Sequence, residues 1–277
     1  MPSRPHLRQN GFTLVEMIMV IVIMGAIGAT VAVFMRSPVD AYVDTARRAA
    51  LTDVADTTVR RISRDLSRAL PNSVRSPSPQ CVEFIPTRTG GRYRAGPDAG
   101  IVGDQSAAVL DFTLADTSFN LLGRNTDLPA DQQIRAGDVV VVYNLGIPGA
   151  DAYAGDNTAP VLGITSGVES TLTIGAKQFP LVSAASRFQV IPGDEKIVSF
   201  VCSGNRLLRS SNHAYGNSCP TSGATVAVLA TNVDTCSFSS SAPDLQRNAL
   251  VRLTLRLKNT GDEGLSLYHE IHISNTP

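Results

Sequence analysis

The sequence predicts an α+β protein, a long N-terminal helix packed on an antiparallel β-sheet. Three patterns lead there. Phe12–Met35 is an apolar run interrupted by a single charge, Glu16. Val39, Val43, Ala46, Ala50, Val54, Thr58, Ile62, Leu66 and Leu70 then recur at steps of three and four, an amphipathic helical stripe. Toward the C-terminus Val251, Leu253, Leu255 and Leu257 alternate with Arg252, Thr254, Arg256 and Lys258, the period of a half-buried strand. There is no internal repeat and no βαβ alternation, so a doubly wound parallel sheet is excluded.

The helix reads in two halves. Residues 1–10 carry Arg4 and Arg8 and no acid, a cytoplasmic leader outside the fold. The apolar run 12–35 spans roughly 36 Å at 1.5 Å per residue, against about 30 Å for a bilayer core. A carboxylate at the centre of such a helix costs on the order of 3 kcal/mol, so Glu16, though off-centre, marks a function with a partner. Gly25, Gly28, Ala29 and Ala32 are spaced for close helix approach, which suits a sister helix or plain anchor composition equally. Pro38 is expected to bend or restart the helix. The amphipathic half, 36–71, sets Arg47, Arg48, Asp53, Asp56, Arg60, Arg61, Arg64, Asp65 and Arg68 opposite the stripe, a solvated face. Asp56–Arg60 and Arg61–Asp65 have the i, i+4 spacing of ion pairs. Pro71-Asn72 stops the helix.

From residue 72 to 277 the chain reads as one β-rich globular domain. Pro, Gly and Ser dominate 72–108, interrupted by a strand at Cys81–Pro86. Further strands are expected at Val109–Leu114, Asp138–Tyr143, Thr171–Ile174, Arg187–Ile191, Lys196–Cys202, Arg206–Arg209 and Thr225–Ala230. A C-terminal hairpin joins 251–258 to Leu265–Ile273 through the turn Asn259–Gly264. Cys81, Cys202, Cys219 and Cys236 all follow the apolar run and suit an oxidising compartment. Three pairings are possible, and all four cysteines read as structural.

Composition removes several function classes. A net charge of zero gives no footprint for nucleic acid. No CxxC, GxSxG, Walker or dinucleotide glycine pattern is present. His269-Glu270-Ile271-His272 has the wrong spacing for HExxH, and on a strand the two rings face opposite ways. The chain is therefore expected to be no enzyme and to need no cofactor. The Gly149–Asn157 loop offers Asp151, Asp156 and Asn157 as oxygen ligands for Ca²⁺, in a pattern that is also ordinary turn chemistry. Tyr153 makes the same loop a candidate contact surface.

Gly11, Phe12 and Glu16 at the head of an apolar helix, behind a short basic leader, resemble the class III signal of type IV pilins and type II secretion pseudopilins. The resemblance implies cleavage between Gly11 and Phe12 by a prepilin peptidase, methylation of the new Phe12 amine, and a role for Glu16 in neutralising that amine on a neighbouring subunit. RDLSRALPNSVR, CVEFIPT, VVVYNLGIPGADAYAGDN, SRFQVI with KIVSFVC, LQRNALVRLTL and LYHEIHISNTP resemble the MshO family, minor pilins of the mannose-sensitive haemagglutinin (MSHA) type IV pilus. A pilin-like fold and membership of a priming or tip complex are then implied. So are other minor and major pilins, an inner-membrane assembly platform, an assembly ATPase and membrane lipid as partners. The implied location is the inner membrane, single-pass, with the C-terminal domain periplasmic and later at the cell surface. The sequence lacks the proline that major pilins often carry early in the anchor. A type II secretion minor pseudopilin of the J type and a signal-anchored periplasmic binding protein are the alternatives.

Overall fold

The computed structural model describes residues 11–96, 108–216, 218–222, 225–240, 248–259 and 264–277. The leader 1–10, most of the turn between the last two strands and part of the Gly-rich loop lie outside the described residues. The chain divides into two compact units, with the boundary between Leu51 and Thr52.

One α-helix, α1 (Leu14–Leu66), contributes to both. It runs through Pro38 without a restart, because losing one i→i−4 donor does not end a helix with strong formers on either side. It also ends at Leu66, short of Pro71. Past that point the backbone turns to the sheet: Leu70 N–H donates to Ile85 O at 2.7 Å, and Ala69 bridges Pro86.

The buried face of α1 differs from the expected stripe. Ala55, Thr58, Val59, Ile62 and Leu66 are buried, whereas Val39, Val43, Ala46, Ala50 and Val54 are exposed. Repeated steps of four advance about 40° beyond a full turn each, so a stripe built mostly of fours winds off one face. Thr58, Ile62 and Leu66 are common to both patterns. Asp56 pairs with Arg60 at 2.6 Å as expected, but Asp65 pairs with Arg209 at 2.8 Å.

Among the described residues all strand pairing is antiparallel, in three sheets. The first has the order β1-β2-β9-β10-β11: β1 (Arg75–Ser78), β2 (Cys81–Phe84), β9 (Val198–Ser203), β10 (Arg206–Ser211) and β11 (Thr225–Ala230). The second is β12 (Val233–Ser240), β13 (Asn248–Lys258) and β14 (Gly264–Ser274). In β13 Val251, Leu253, Leu255 and Leu257 are buried and the intervening residues are not, the alternation written in the sequence. The end of α1 touches both sheets, through Thr58 Oγ1 to Leu229 O (3.2 Å) and Ser63 Oγ to His269 Nε2 (3.2 Å).

The third sheet has the order β3-β8-β5-β6-β7-β4, with β3 (Thr89–Arg92), β4 (Asp116–Leu121), β5 (Val139–Val141), β6 (Thr158–Thr165), β7 (Ser170–Lys177) and β8 (Arg187–Ile191). Its ends meet. Tyr93 bridges Leu121, Leu122 N–H donates to Arg92 O (2.9 Å) and Arg94 N–H to Asn120 O (3.0 Å), so the six strands close into a barrel. Its interior holds Tyr93, Phe119, Val140, Leu172, Phe188 and Val190, all at most 1% exposed. The sequence predicts one sheet and a strand at Val109–Leu114, and neither is what the chain forms. There Thr113 N–H and Oγ1–H both donate to Asp111 Oδ1 at 2.6 Å, an Asp turn that outweighs the local β-propensity.

The cysteines pair Cys81–Cys219 and Cys202–Cys236. The second bridge joins β9 of the first sheet to β12 of the second, and the first ties the loop after β10 back to β2.

Candidate functional site

The N-terminal site is built by a helix start. Gly11, Phe12 and Thr13 lie outside the helix and are exposed, Phe12 by 86%. Thr13 is the N-cap: its Oγ1 accepts from Glu16 N–H at 3.3 Å, and its carbonyl accepts from Met17 N–H at 3.2 Å. Thr13-Leu14-Val15-Glu16 has the spacing of a capping box, so Glu16 occupies the position that favours a carboxylate at a helix N-terminus. The cap therefore leaves the Gly11–Phe12 bond exposed, immediately before the helix. A Cβ built on Gly11 would meet nothing within 4 Å. Its glycine is thus not required by the chain's own packing, and the requirement lies with whatever approaches that bond.

Glu16 is exposed and, among the described residues, forms no ion pair within its own chain. Around it α1 is long and apolar enough to cross a membrane, and none of its apolar stretch is buried. Gly25 and Gly28 stand open, with nothing within 4 Å of a built Cβ.

The other sequence candidates separate. His269 is half-buried against Ser63, whereas His272 on the same strand is exposed, so the two rings do not converge. In the Gly149–Asn157 loop Asp156 Oδ2 accepts from Gly149 N–H (2.8 Å), and Asp151 Oδ1 accepts from Tyr153 N–H (2.9 Å). Asn157 is buried beside Asn144. Among the described residues no group of three or more His, Cys, Asp or Glu side chains gathers as a metal site. Tyr153, the aromatic of this loop, is half-buried and held by its own chain. Its hydroxyl donates to Ser73 O (2.9 Å), Arg75 lies 3.7 Å above its ring, and Tyr215 packs edge-on. Burial pushes its phenol well above the ordinary tyrosine value.

Sequence reasoning missed a buried polar cluster around Glu83. Glu83 Oε1 accepts from Arg75 Nε (2.9 Å), and Oε2 accepts from Ser199 Oγ (3.0 Å) and Cys219 N–H (3.2 Å). Ser199 Oγ also lies 2.9 Å from His213 Nε2. The residue types are those of a hydrolase triad, but the geometry is not. Glu83 lies on the Nε2 side of His213, at 3.9 Å, while Nδ1 faces Ala214 O, and both Ser199 and Glu83 are 0% exposed. The one available signal was an acid within the apolar run Cys81–Ile85.

Comparison with known proteins bears on the N-terminus. Residues 6–32 match the family model described as the prokaryotic N-terminal methylation motif. The chain carries a type IV prepilin-like signal. That supports a type IV pilin- or pseudopilin-like protein, with processing by prepilin peptidase and pilin partners in general. Together with the apolar helix it points to membrane anchoring. No curated protein and no solved structure matches the chain.

Proposed function

We propose that this protein is a minor pilin-like subunit of an MSHA-type type IV pilus, of the MshO family, acting in a priming or tip complex after cleavage between Gly11 and Phe12. The observation that carries the reading is Glu16, a carboxylate on an exposed apolar helix with no ion-pair partner in its own chain among the described residues, one turn beyond an accessible Gly11–Phe12 bond. In lipid an unpaired carboxylate is costly, and a free Phe12 amine on a neighbouring subunit is the charge that offsets it. On this reading the chain itself catalyses nothing: the cut comes from the peptidase and assembly energy from a cytoplasmic ATPase. The globular domain then faces the periplasm and later the cell exterior.

Intact mass of the membrane-extracted chain, produced with and without prepilin peptidase, tests it. A chain beginning at N-methylated Phe12 only when the peptidase is present is the expected result. A chain that keeps residues 1–11 beside an active peptidase overturns it.

A further inference from the structure

The two bridges lie on opposite faces of the first sheet. Cys81 stands opposite Val201 across β2 and β9, and Cys202 N–H donates to Gln80 O at 2.8 Å. Cys81 and Cys202 are thus one residue out of register on neighbouring strands, and their side chains leave the sheet on opposite sides. Cys81 shares its side with Glu83, and so does Cys219, whose N–H donates to Glu83 Oε2 at 3.2 Å. Cys202 shares the other side with Phe200 and reaches Cys236 on β12. The fold sorts the four cysteines by face.

Chain order sorts them differently. Of the three possible pairings the protein has the interlaced one, in which neither bond joins cysteines that are consecutive in the sequence. Synthesis delivers Cys81 and then Cys202 before either native partner. Loop-closure entropy favours the near pairs, Cys202 with Cys219 and Cys219 with Cys236, over the 138-residue separation of Cys81 and Cys219. All three of these consecutive bonds are non-native. The bond between Cys81 and Cys202 is also within reach of a nearly native sheet, since sliding β2 by one residue against β9 sets the two opposite each other. That slip turns Glu83 toward the Phe200 side, away from Ser199 and Cys219, and takes Phe84 off the Phe200 ring that it stacks on at 6.0 Å.

Once Cys81–Cys202 and Cys219–Cys236 have formed, the chain holds no thiol that could correct them, because its four cysteines are all used. Disulfide exchange requires an attacking thiolate. We propose that this protein is a client of a thiol–disulfide isomerase, a partner that brings a reactive thiolate to the mispaired chain. That thiolate attacks Cys81 Sγ, forms a mixed disulfide and releases the Cys202 thiolate. Cys202 attacks Cys236 Sγ, forming Cys202–Cys236 and releasing the Cys219 thiolate. Cys219 then attacks Cys81 Sγ in the mixed disulfide, which closes Cys81–Cys219 and expels the isomerase thiolate. Nothing is oxidised or reduced overall, and the isomerase is returned unchanged. The inference needs of the proposed function only that the cysteines reach an oxidising compartment, and processing at Gly11 does not enter its test.

The full chain, reduced in urea, is diluted into detergent micelles with diamide, an oxidant that contains no thiol. Proteolysis and peptide masses after an acid quench then map the bonds. With diamide alone, consecutive bonds should dominate and persist. A catalytic amount of reduced protein disulfide isomerase, added once diamide is removed, should raise the yield of both native bonds about fivefold. The same enzyme with alkylated thiols should leave the yield unchanged, which separates exchange from chaperoning. In the double variant Cys202→Ala, Cys236→Ala, the Cys81–Cys219 bond should form with diamide alone, at a yield the isomerase does not alter. Native pairing with diamide alone, consecutive bonds that survive the active isomerase, equal rescue by the alkylated enzyme, or an equal isomerase effect on the double variant would overturn the proposal.

Discussion

Glu83 shows how a single buried charge can be held by its surroundings. It is 0% exposed, and its two oxygens are filled by Arg75, Ser199 and Cys219. Replacing one partner of a buried, fully bonded pair leaves the other uncompensated. Glu83→Gln should therefore destabilise the globular unit by about 3 kcal/mol, read from urea unfolding with both disulfides intact. A loss under about 1 kcal/mol would mean that Arg75, which is 37% exposed, is already served by water. Tyr153, beside the same arginine, gives a pH dependence. Burial raises its folded-state pKa above the unfolded value, so the unfolded chain releases that proton first. Stability from this group is whole below pH about 10 and falls as pH rises through the folded value. Tyr153→Phe should flatten the decline of the urea midpoint above pH about 10, at some cost at neutral pH from the lost bond to Ser73.

At the scale of elements, α1 separates two readings of one stripe. Ile62 is fully buried, whereas Val54 is 39% exposed. Ile62→Ala should cost about 2–5 kcal/mol and Val54→Ala well under 1 kcal/mol in the same unfolding assay. A reversed order would restore the stripe read from spacing alone. The two disulfides close 138 and 34 residues. Loop-closure entropy then assigns about 5 and 4 kcal/mol to them, and Cys81→Ser should lower the thermal midpoint more than Cys236→Ser.

What could be read in advance follows from these elements. The N-terminal signal was legible because Gly11, Phe12 and Glu16 fall within one short stretch, and β13 because a strand on a core enforces its own alternation. The two-sheet-plus-barrel division was not. Closure depends on Tyr93 meeting Leu121, and β6 carries Pro160 and Gly163, both poor strand signals. The Glu83 cluster draws on Arg75, Ser199, His213 and Cys219, residues far apart in the chain that are brought together by strand pairing and the Cys81–Cys219 bridge and are invisible to spacing.

For the whole molecule, the division of labour is a matter of where burial starts. Among the described residues every buried hydrophobic side chain lies at or beyond Ala55, and both disulfides lie within the unit that begins at Thr52. The described residues of the N-terminal unit contribute helix and exposed apolar surface, from Phe12 through Met35, and no buried core. Folding of the globular unit should then be independent of residues 1–51, since removing them takes away no core side chain and no cross-link. A chain of residues 52–277, made in an oxidising compartment, is expected to be soluble without detergent. It should form Cys81–Cys219 and Cys202–Cys236 and melt cooperatively. A thermal midpoint within about 4 °C of the full chain in detergent is expected, a shift equivalent to roughly 1 kcal/mol or less. The helical segment 52–66 is too short to persist alone, so its signal should vanish in the same transition as the sheets. Separate transitions, or aggregation with scrambled disulfides, would show that the exposed apolar helix supports the globular unit. The N-terminal half would then have a structural part to play in addition to carrying the processing signal.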